Sequence, residues 1–105
     1  EFRTFGDATN DTRYRVFSAT KAFVAGAMWA LIGDGLIDVS VPVAQLIPEF
    51  GTNGKDIITI EQVMLHTSGF PTAPLRPLAG ATSAGRCEAF ARSWLNCEPA
   101  STYEY

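Results

Sequence analysis

The feature that most constrains the fold of this chain is an apolar helix, which we predict over about Ala19 to Ile32. Its residues are apolar on every face, a pattern that is typical of a helix buried inside a core. The longest apolar run, Ala22 to Ile32, is only about half of the roughly 20 residues that a membrane span needs. We therefore expect a buried helix and no membrane span.

The composition fits one globular core and argues against several classes of partner. The chain has 105 residues, of which 47% are hydrophobic, with a formal net charge of −3. No run concentrates Lys or Arg, so we expect no nucleic acid as a partner. One histidine and two separated cysteines give no metal-ligand cluster, and we expect neither metal nor cofactor. Cys87 and Cys97 lie too far apart along a helical stretch for a disulfide, so we expect free thiols.

Residues 1–105 are interpreted as a single partial domain that is cut at both ends. The chain opens on Glu1 without a methionine, stops at Tyr105 after a turn-like stretch, and contains no linker that would separate two domains. Residues 1–15 are polar and lack a signal peptide, which favours the cytoplasm. A missing N-terminus would hide an export signal, however, so the compartment and the oligomeric state stay open.

Three shorter helices are predicted after the apolar one. The first is a single turn over residues 42–47, between two prolines. The second opens with a capping box between Thr59 and Gln62 and ends at about His66. The third spans about residues 84–95, where apolar residues recur at helical spacing.

Ser18 and Lys21 are the first candidates for chemistry. Lys21 is the only charged side chain between Arg15 and Asp34, and it lies in the first turn of the apolar helix. Burial and the positive end of the helix dipole would both disfavour an ammonium there. Residues three apart share a helix face, so the Lys21 amine can take the Ser18 proton. The alternative is that Ser18 caps the helix while Lys21 extends into solvent, and the spacing alone favours that alternative.

The motifs around this pair carry a family resemblance. The run Ser18-Ala19-Thr20-Lys21 is followed by Gly33-Asp34-Gly35-Leu36 and then by Leu65-His66-Thr67-Ser68-Gly69. In this order they resemble the N-terminal part of the serine β-lactamase-related family, which comprises class C β-lactamases, D-alanyl-D-alanine carboxypeptidases and related esterases. The resemblance covers about residues 14–105. It implies an α+β fold of the β-lactamase/transpeptidase type, of which this chain would hold mainly the helical part with little strand.

The resemblance also implies a set of catalytic residues. Ser18 would be the acylated serine and Lys21 its base. The family's Tyr-x-Asn motif follows a Pro-Gly-rich approach with an aromatic residue two positions earlier, and residues 98–105 look like that approach. Tyr105 would then be the motif tyrosine and would share the proton with Ser18. Ala100 stands where family members often have glycine.

The implied activity is that of a serine hydrolase that forms an acyl-enzyme on Ser18. Its small-molecule substrate would be a β-lactam, a D-Ala-D-Ala-type peptide or a small ester, and we lean to an esterase-like enzyme. The family's third motif, which donates an oxyanion N–H, is not matched, so we expect these 105 residues alone to be inactive and their parent chain to be active. Two alternatives are a non-catalytic penicillin-recognising sensor module and an unrelated helical interaction domain, in which Ser18 and Lys21 are incidental.

Other residues are assigned structural roles. His66 is the only histidine, and Ser68 follows it in a tight turn without the Gly-x-Ser-x-Gly pattern that presents a nucleophile. The resemblance treats this motif as architectural, and we favour that role over catalysis for His66. Lys55 follows a glycine, but the pattern of a phosphate-binding loop is incomplete. The proline-rich residues 71–77 are interpreted as a loop that borders the substrate cleft.

Overall fold

The computed structural model describes residues 3–70 and 80–105, so the predicted loop over 71–77 lies outside the described residues. The helices within these ranges are α1 (Thr20–Gly33), α2 (Val43–Leu46), α3 (Ile60–Met64) and α4 (Ser83–Arg92), and 3₁₀ turns lie at Phe17–Ala19 and Pro48–Gly51. The same ranges contain no strand, only one antiparallel bridge between Pro42 and Thr59. This agrees with the predicted helical, strand-poor segment, while the α+β fold itself stays a prediction.

Helix α1 has the predicted extent and ends in the predicted way. Gly35 adopts a left-handed backbone conformation, with φ of 70°. The Leu36 amide donates to the Leu31 carbonyl at 2.9 Å, and the Gly35 amide donates to the Ile32 carbonyl at 3.0 Å. These two bonds form a Schellman motif, which satisfies carbonyls that the helix itself leaves unpaired. The glycine at this position therefore stops the helix, as the sequence predicts.

The predicted burial of α1 is wrong for the described residues. No residue of α1 is buried, and Phe23 and Trp29 are 74% and 81% exposed. Lys21 is exposed as well, so burial does not strip the water from its amine. The physical reason is that α1 contacts mainly the 3₁₀ turn before it, whereas a helix that is apolar all round needs neighbours on every side. None of the described helices is long and apolar enough to cross a membrane.

The buried apolar residues of the described ranges lie instead in the segment that contains α2 and α3. They are Phe50, Ile58 and Ile60. The Phe50 ring packs against Phe70 at 5.6 Å and against Phe90 of α4 at 6.4 Å between ring centroids. Such aromatic contacts contribute roughly 0.5–1.5 kcal/mol each beyond the area that they bury. This aromatic cluster joins α4 to the chain around the 3₁₀ turn Pro48–Gly51.

The capping box at the start of α3 is confirmed. The Thr59 hydroxyl accepts from the Gln62 amide at 3.2 Å, and the Gln62 side-chain oxygen accepts from the Thr59 amide at 3.0 Å. Both hydrogen bonds satisfy amides at the beginning of a helix, where no helical carbonyl is available. The Ile60 amide also donates to the Val41 carbonyl at 3.1 Å, which fixes α3 against the turn that precedes α2.

Lys55 is the main surprise of the fold, because the sequence around it is polar and does not indicate that its side chain is buried. Its side chain is 0% exposed. The ammonium donates to the Thr52 carbonyl at 2.6 Å and to the Ser93 carbonyl at 2.5 Å, so its hydrogen bonds within the described ranges go to neutral oxygens. Burial lowers the pKa of Lys55 below its ordinary value of 10.5, because a low-dielectric environment disfavours the charged form.

A contact from Asn53, two residues before Lys55, explains why α4 ends earlier than predicted. The sequence predicts a helix over 84–95, but α4 stops at Arg92. The Asn53 side-chain amide donates to the Ala91 carbonyl at 3.1 Å, where a longer helix would place an amide from its next turn. Trp94 lies within the predicted range but follows the end of the helix, and it is 70% exposed.

Candidate active site

Ser18, Lys21 and Tyr105 lie together in the structure. The Lys21 Nζ atom donates to the Ser18 Oγ at 3.1 Å and to the Tyr105 Oη at 3.0 Å. The first contact spans one helical turn, whereas the second joins residues that are 84 positions apart in the chain. The amine therefore bridges two hydroxyl groups, and all three side chains are exposed to solvent, where a small molecule can reach them.

The backbone around Ser18 excludes the simple capping role. Ser18 lies inside the 3₁₀ turn Phe17–Ala19, and the N-cap position of α1 is Ala19. Neither the turn nor the helix has a side-chain cap, so Ser18 does not satisfy a helix amide in the way that an N-cap serine does. Its hydroxyl contacts the Lys21 amine instead, as expected for a paired nucleophile and base.

Phe17, which immediately precedes Ser18, has a strained backbone. Its φ is 46°, in the left-handed region, and its side chain is 81% exposed. This conformation costs a residue with a side chain about 1–2 kcal/mol, and such strain is concentrated at functional sites. No feature of the sequence indicates it, because a bulky aromatic residue is not typical of a left-handed position.

The surroundings of Tyr105 stabilise its phenolate more than water does in an isolated tyrosine. The pKa of Tyr105 lies below its ordinary value of 10.0, chiefly because of its hydrogen bond with Ser18 and next because of the bond from Lys21. A hydrogen bond that is stronger to the phenolate than to the phenol stabilises the phenolate. The positive charge of Lys21 acts in the same direction. Tyr105 can therefore take part in proton transfer more readily than an isolated tyrosine.

The segment that carries Tyr105 is bound to the Leu-His-Thr-Ser-Gly motif along its backbone. Three amide-to-carbonyl hydrogen bonds, of 2.7 to 2.9 Å, join the two. Their donor and acceptor pairs are Asn96 to Gly69, Ala100 to Thr67, and Glu104 to His66. The motif was predicted to be architectural. In the structure, its backbone binds the segment that carries Tyr105.

His66 contacts the candidate site with its side chain, which the sequence did not predict. Its ring lies 5.0 Å from the Tyr105 ring and 5.8 Å from the Tyr103 ring between centroids. Ser68, the other candidate in this motif, is buried, and its hydroxyl accepts from the Phe70 amide at 3.2 Å. Ser68 therefore stabilises the turn, in line with its predicted structural role.

A groove of about 750 Å³ opens beside Ser18. Its lining is mostly apolar and includes Phe17, Val24, Val63 and Met64, while Lys21 and His66 supply polar groups. A mostly apolar cavity with a few polar groups is the usual form of a small-molecule site. Among the described residues no group of His, Cys, Asp or Glu side chains could hold a metal ion. Cys87 and Cys97 are free, half-buried thiols, as predicted.

Several curated proteins resemble this chain. The esterase/beta-lactamase LipL of Mycobacterium tuberculosis is 44% identical over 72 residues, which are 69% of this chain and 16% of LipL. A Salmonella agona protein provisionally named D-alanyl-D-alanine carboxypeptidase is 35% identical over 77 residues, which are 67% of this chain and 18% of that protein. The esterase EstB of Burkholderia gladioli is 35% identical over 63 residues, which are 56% of this chain and 16% of EstB.

The matched segments thus cover less than a fifth of the length of these relatives. No solved structure matches it with comparable significance. A family model described as Beta-lactamase matches residues 1–105, which is the whole chain and includes Ser18, Lys21 and Tyr105. The chain therefore belongs to the beta-lactamase family.

Proposed function

We propose that the protein is a serine hydrolase that forms an acyl-enzyme on Ser18, with Lys21 and Tyr105 moving the proton. The observation that carries this proposal is the position of the Lys21 amine, which lies within hydrogen-bond distance of both hydroxyl oxygens. A nucleophile needs a base within about 2.6–3.2 Å, and both distances meet that requirement. The names of the relatives, two esterases and a carboxypeptidase, support a hydrolase of this class.

The geometry suggests how acylation would proceed. The Ser18 oxygen attacks the carbonyl carbon of the substrate while its proton passes to the pair formed by Lys21 and Tyr105. The tetrahedral intermediate then collapses and expels an alcohol or an amine, which takes the proton from that pair. Because Lys21 donates to the Tyr105 oxygen, its positive charge offsets the negative charge of the phenolate form. Water next attacks the Ser18 ester, and the pair transfers the proton of that water back to Ser18.

The groove beside Ser18 favours an ester with a small apolar acyl group as the substrate. Its apolar wall is formed by residues such as Val24, Val63 and Met64. Binding of a hydrocarbon group against this wall is favourable, because it removes apolar surface from water. Among the described residues that line it, Lys21 is the only lysine or arginine, and its hydrogen bonds are directed to Ser18 and Tyr105. A β-lactam or a D-Ala-D-Ala-type peptide remains a candidate of the same acyl-transfer class.

Replacement of the candidate nucleophile tests the proposal. In the full-length protein, Ser18→Ala should lower kcat for p-nitrophenyl butyrate and for nitrocefin by at least about 10³-fold, because no acyl-enzyme can form. It should also abolish the mass increase that a fluorophosphonate probe causes. Ser83→Ala, at an exposed serine that begins α4, is the matched control and should keep both properties.

Two other results would contradict the proposal. Stable labelling of Ser18 by penicillin without any turnover would favour a sensor module that recognises the substrate class and does not release it. Undiminished turnover in Ser18→Ala would show that a different residue is the nucleophile. Turnover that depends on Ser18 and is faster with the ester than with nitrocefin would support the esterase assignment.

A further inference from the structure

The ends of helices α1 and α3 have the same backbone geometry but different residues at the same position. At the end of α3, the His66 amide donates to the Val63 carbonyl at 3.2 Å, and the Thr67 amide donates to the Gln62 carbonyl at 2.9 Å. These bonds repeat the Schellman motif that follows α1, where the left-handed residue is Gly35. At α3 that residue is a histidine with φ of 56°.

A histidine at this position is locally unfavourable. The left-handed conformation costs a residue with a side chain more than it costs glycine, which lacks the Cβ that clashes. Where a local preference is broken, the side chain is expected to have a further role. We therefore expect the imidazole of His66 to make a contact that a glycine at the same position could not make.

The His66 side chain and backbone both contact the segment that carries Tyr105. The imidazole lies 5.0 Å from the Tyr105 ring, with the two planes inclined by 57°, and 5.8 Å from the Tyr103 ring at 73°. Tilted contacts of this kind are the favourable arrangement for aromatic rings. The His66 carbonyl accepts from the Glu104 amide at 2.8 Å, directly before Tyr105. His66 thus binds the backbone next to Tyr105 and also packs against the Tyr105 ring.

Tyr105 needs such a contact. Its side chain is 62% exposed, so few other groups restrict its rotamer. Its oxygen must nevertheless stay 3.0 Å from the Lys21 amine if the two are to share a proton. We propose that His66 is a positioning residue whose ring holds Tyr105 in the rotamer that reaches Lys21 and Ser18. This inference rests on the proposed function for its catalytic consequence, whereas the ring contact can be tested independently of that function.

Two substitutions separate the ring from the backbone role. His66→Gly removes the ring and its two aromatic contacts but relieves the left-handed strain, and because these effects have opposite signs the unfolding midpoint in urea should change little. In the same variant, kcat should fall by about 10- to 100-fold while KM changes by less than about 3-fold, because a misplaced catalytic group slows the chemical step. His66→Phe keeps a ring at this position and should retain kcat within about 3-fold. A merely structural His66 would give the opposite result, with activity that follows stability.

Ala100→Gly is the matched control for relief of backbone strain. Ala100 has φ of 66° and lies in the same segment as Tyr105. Its methyl group cannot replace or disturb an aromatic contact of the kind that His66 makes. Ala100→Gly should therefore keep kcat within about 2-fold, and a loss of activity in this variant would show that relief of strain alone disturbs the site.

Nuclear magnetic resonance gives a readout that does not depend on the reaction. In the full-length protein, Tyr105 ring protons should show a nuclear Overhauser effect to the Lys21 ε-methylene, since the Lys21 nitrogen lies 4.7 Å from the Tyr105 ring centroid. The effect should persist in His66→Phe and disappear in His66→Gly. If it persists in His66→Gly, the positioning role is refuted. If Ser18→Ala retains full turnover, the proposed function fails, and this experiment still decides whether His66 positions Tyr105.

Discussion

Two lysines show how differently the two regions of this molecule are built. Lys21 lies in α1, where every helical residue is at least partly exposed, and its amine contacts two side-chain hydroxyls. Lys55 lies in what we call the paired region, residues 41–70 and 83–105, which contains the residues that are buried in the described ranges. Its amine is enclosed and contacts backbone carbonyls. The lysine with apolar sequence neighbours is the exposed one, and the lysine in a polar loop is the buried one.

This difference shows that burial depends on distant contacts more than on neighbours in the sequence. Lys55 is buried because Ser93, 38 positions later, supplies a carbonyl to its ammonium. The contact between Ser18 and Lys21 needs only one turn of helix. Tyr105 depends on the paired region, because its segment is hydrogen-bonded to residues 66–69. The candidate site thus joins a locally determined pair to a residue placed by long-range contacts.

Gly69→Ala is expected to give the largest effect on stability. A Cβ at this position would lie 2.2 Å from the Cys97 carbonyl oxygen, and φ at Gly69 is 68°. Backbone cannot move away as a flexible side chain can, so we expect the free energy of unfolding to fall by about 2–4 kcal/mol. Urea denaturation measures this loss. Tyr105 should be displaced as well, because the Asn96 amide bonds to the Gly69 carbonyl.

Gly26→Ala, in α1, is the matched control for that substitution. No atom lies within 4 Å of a Cβ built at Gly26, and the residue is helical, so alanine should raise the free energy of unfolding by about 0.5–1 kcal/mol. If the free energy of unfolding falls in Gly69→Ala and rises in Gly26→Ala, the contrast between the two regions is confirmed. Destabilisation by Gly26→Ala in the full-length protein would show that another segment covers this face of α1.

Sequence reasoning succeeds where a feature is determined by a few adjacent residues. The Gly35 stop of α1 and the capping box between Thr59 and Gln62 are local hydrogen-bond patterns, and both are present. The adjacency of Ser18 and Lys21 follows in the same way from helical periodicity. The place of Tyr105 could be expected only from the family resemblance, because no local pattern joins residues so far apart.

Sequence reasoning fails where one segment depends on another. The end of α4 is the clearest case: apolar spacing continues past Arg92, but side chains from Thr52 and Asn53 occupy the Ala91 carbonyl. The predicted burial of α1 fails for the converse reason, since the described residues supply no second layer against it. His66 was assigned only to the backbone turn because its ring contacts involve residues about 40 positions later.

Lys55→Met tests the buried cation of the paired region. The variant keeps an unbranched side chain but leaves the Thr52 and Ser93 carbonyls without their donor, so stability should fall by about 1–2 kcal/mol at neutral pH. The pH dependence has a definite sign. Because burial lowers the pKa of Lys55 below 10.5, the unfolded chain binds a proton in the range just below 10.5 that the folded chain has released. Stability of the unmodified protein should therefore rise with pH in that range.

Lys55→Met lacks this titration, so its deficit in stability should widen as the pH approaches 10.5. Urea denaturation of both proteins at a series of pH values measures the difference, in which contributions from other groups cancel. Arg15→Met is the control, since it makes the same exchange of a positively charged side chain for methionine at an exposed position. A constant difference between Lys55→Met and the unmodified protein would contradict the proposed burial of the charge.

Ala100→Gly is expected to give the smallest effect and tests the path of the chain toward Tyr105. Ala100 is exposed, with φ of 66°, so glycine removes a left-handed penalty of about 1–2 kcal/mol. Part of that gain is offset because glycine makes the unfolded chain more flexible, which leaves a net stabilisation of about 0.5–1 kcal/mol. Ala27→Gly, at an exposed helical position of α1, should instead destabilise by a similar amount. Equal losses of stability in Ala100→Gly and Ala27→Gly would mean that Ala100 is not left-handed. The segment that carries Tyr105 would then approach the Lys21 amine along a different path.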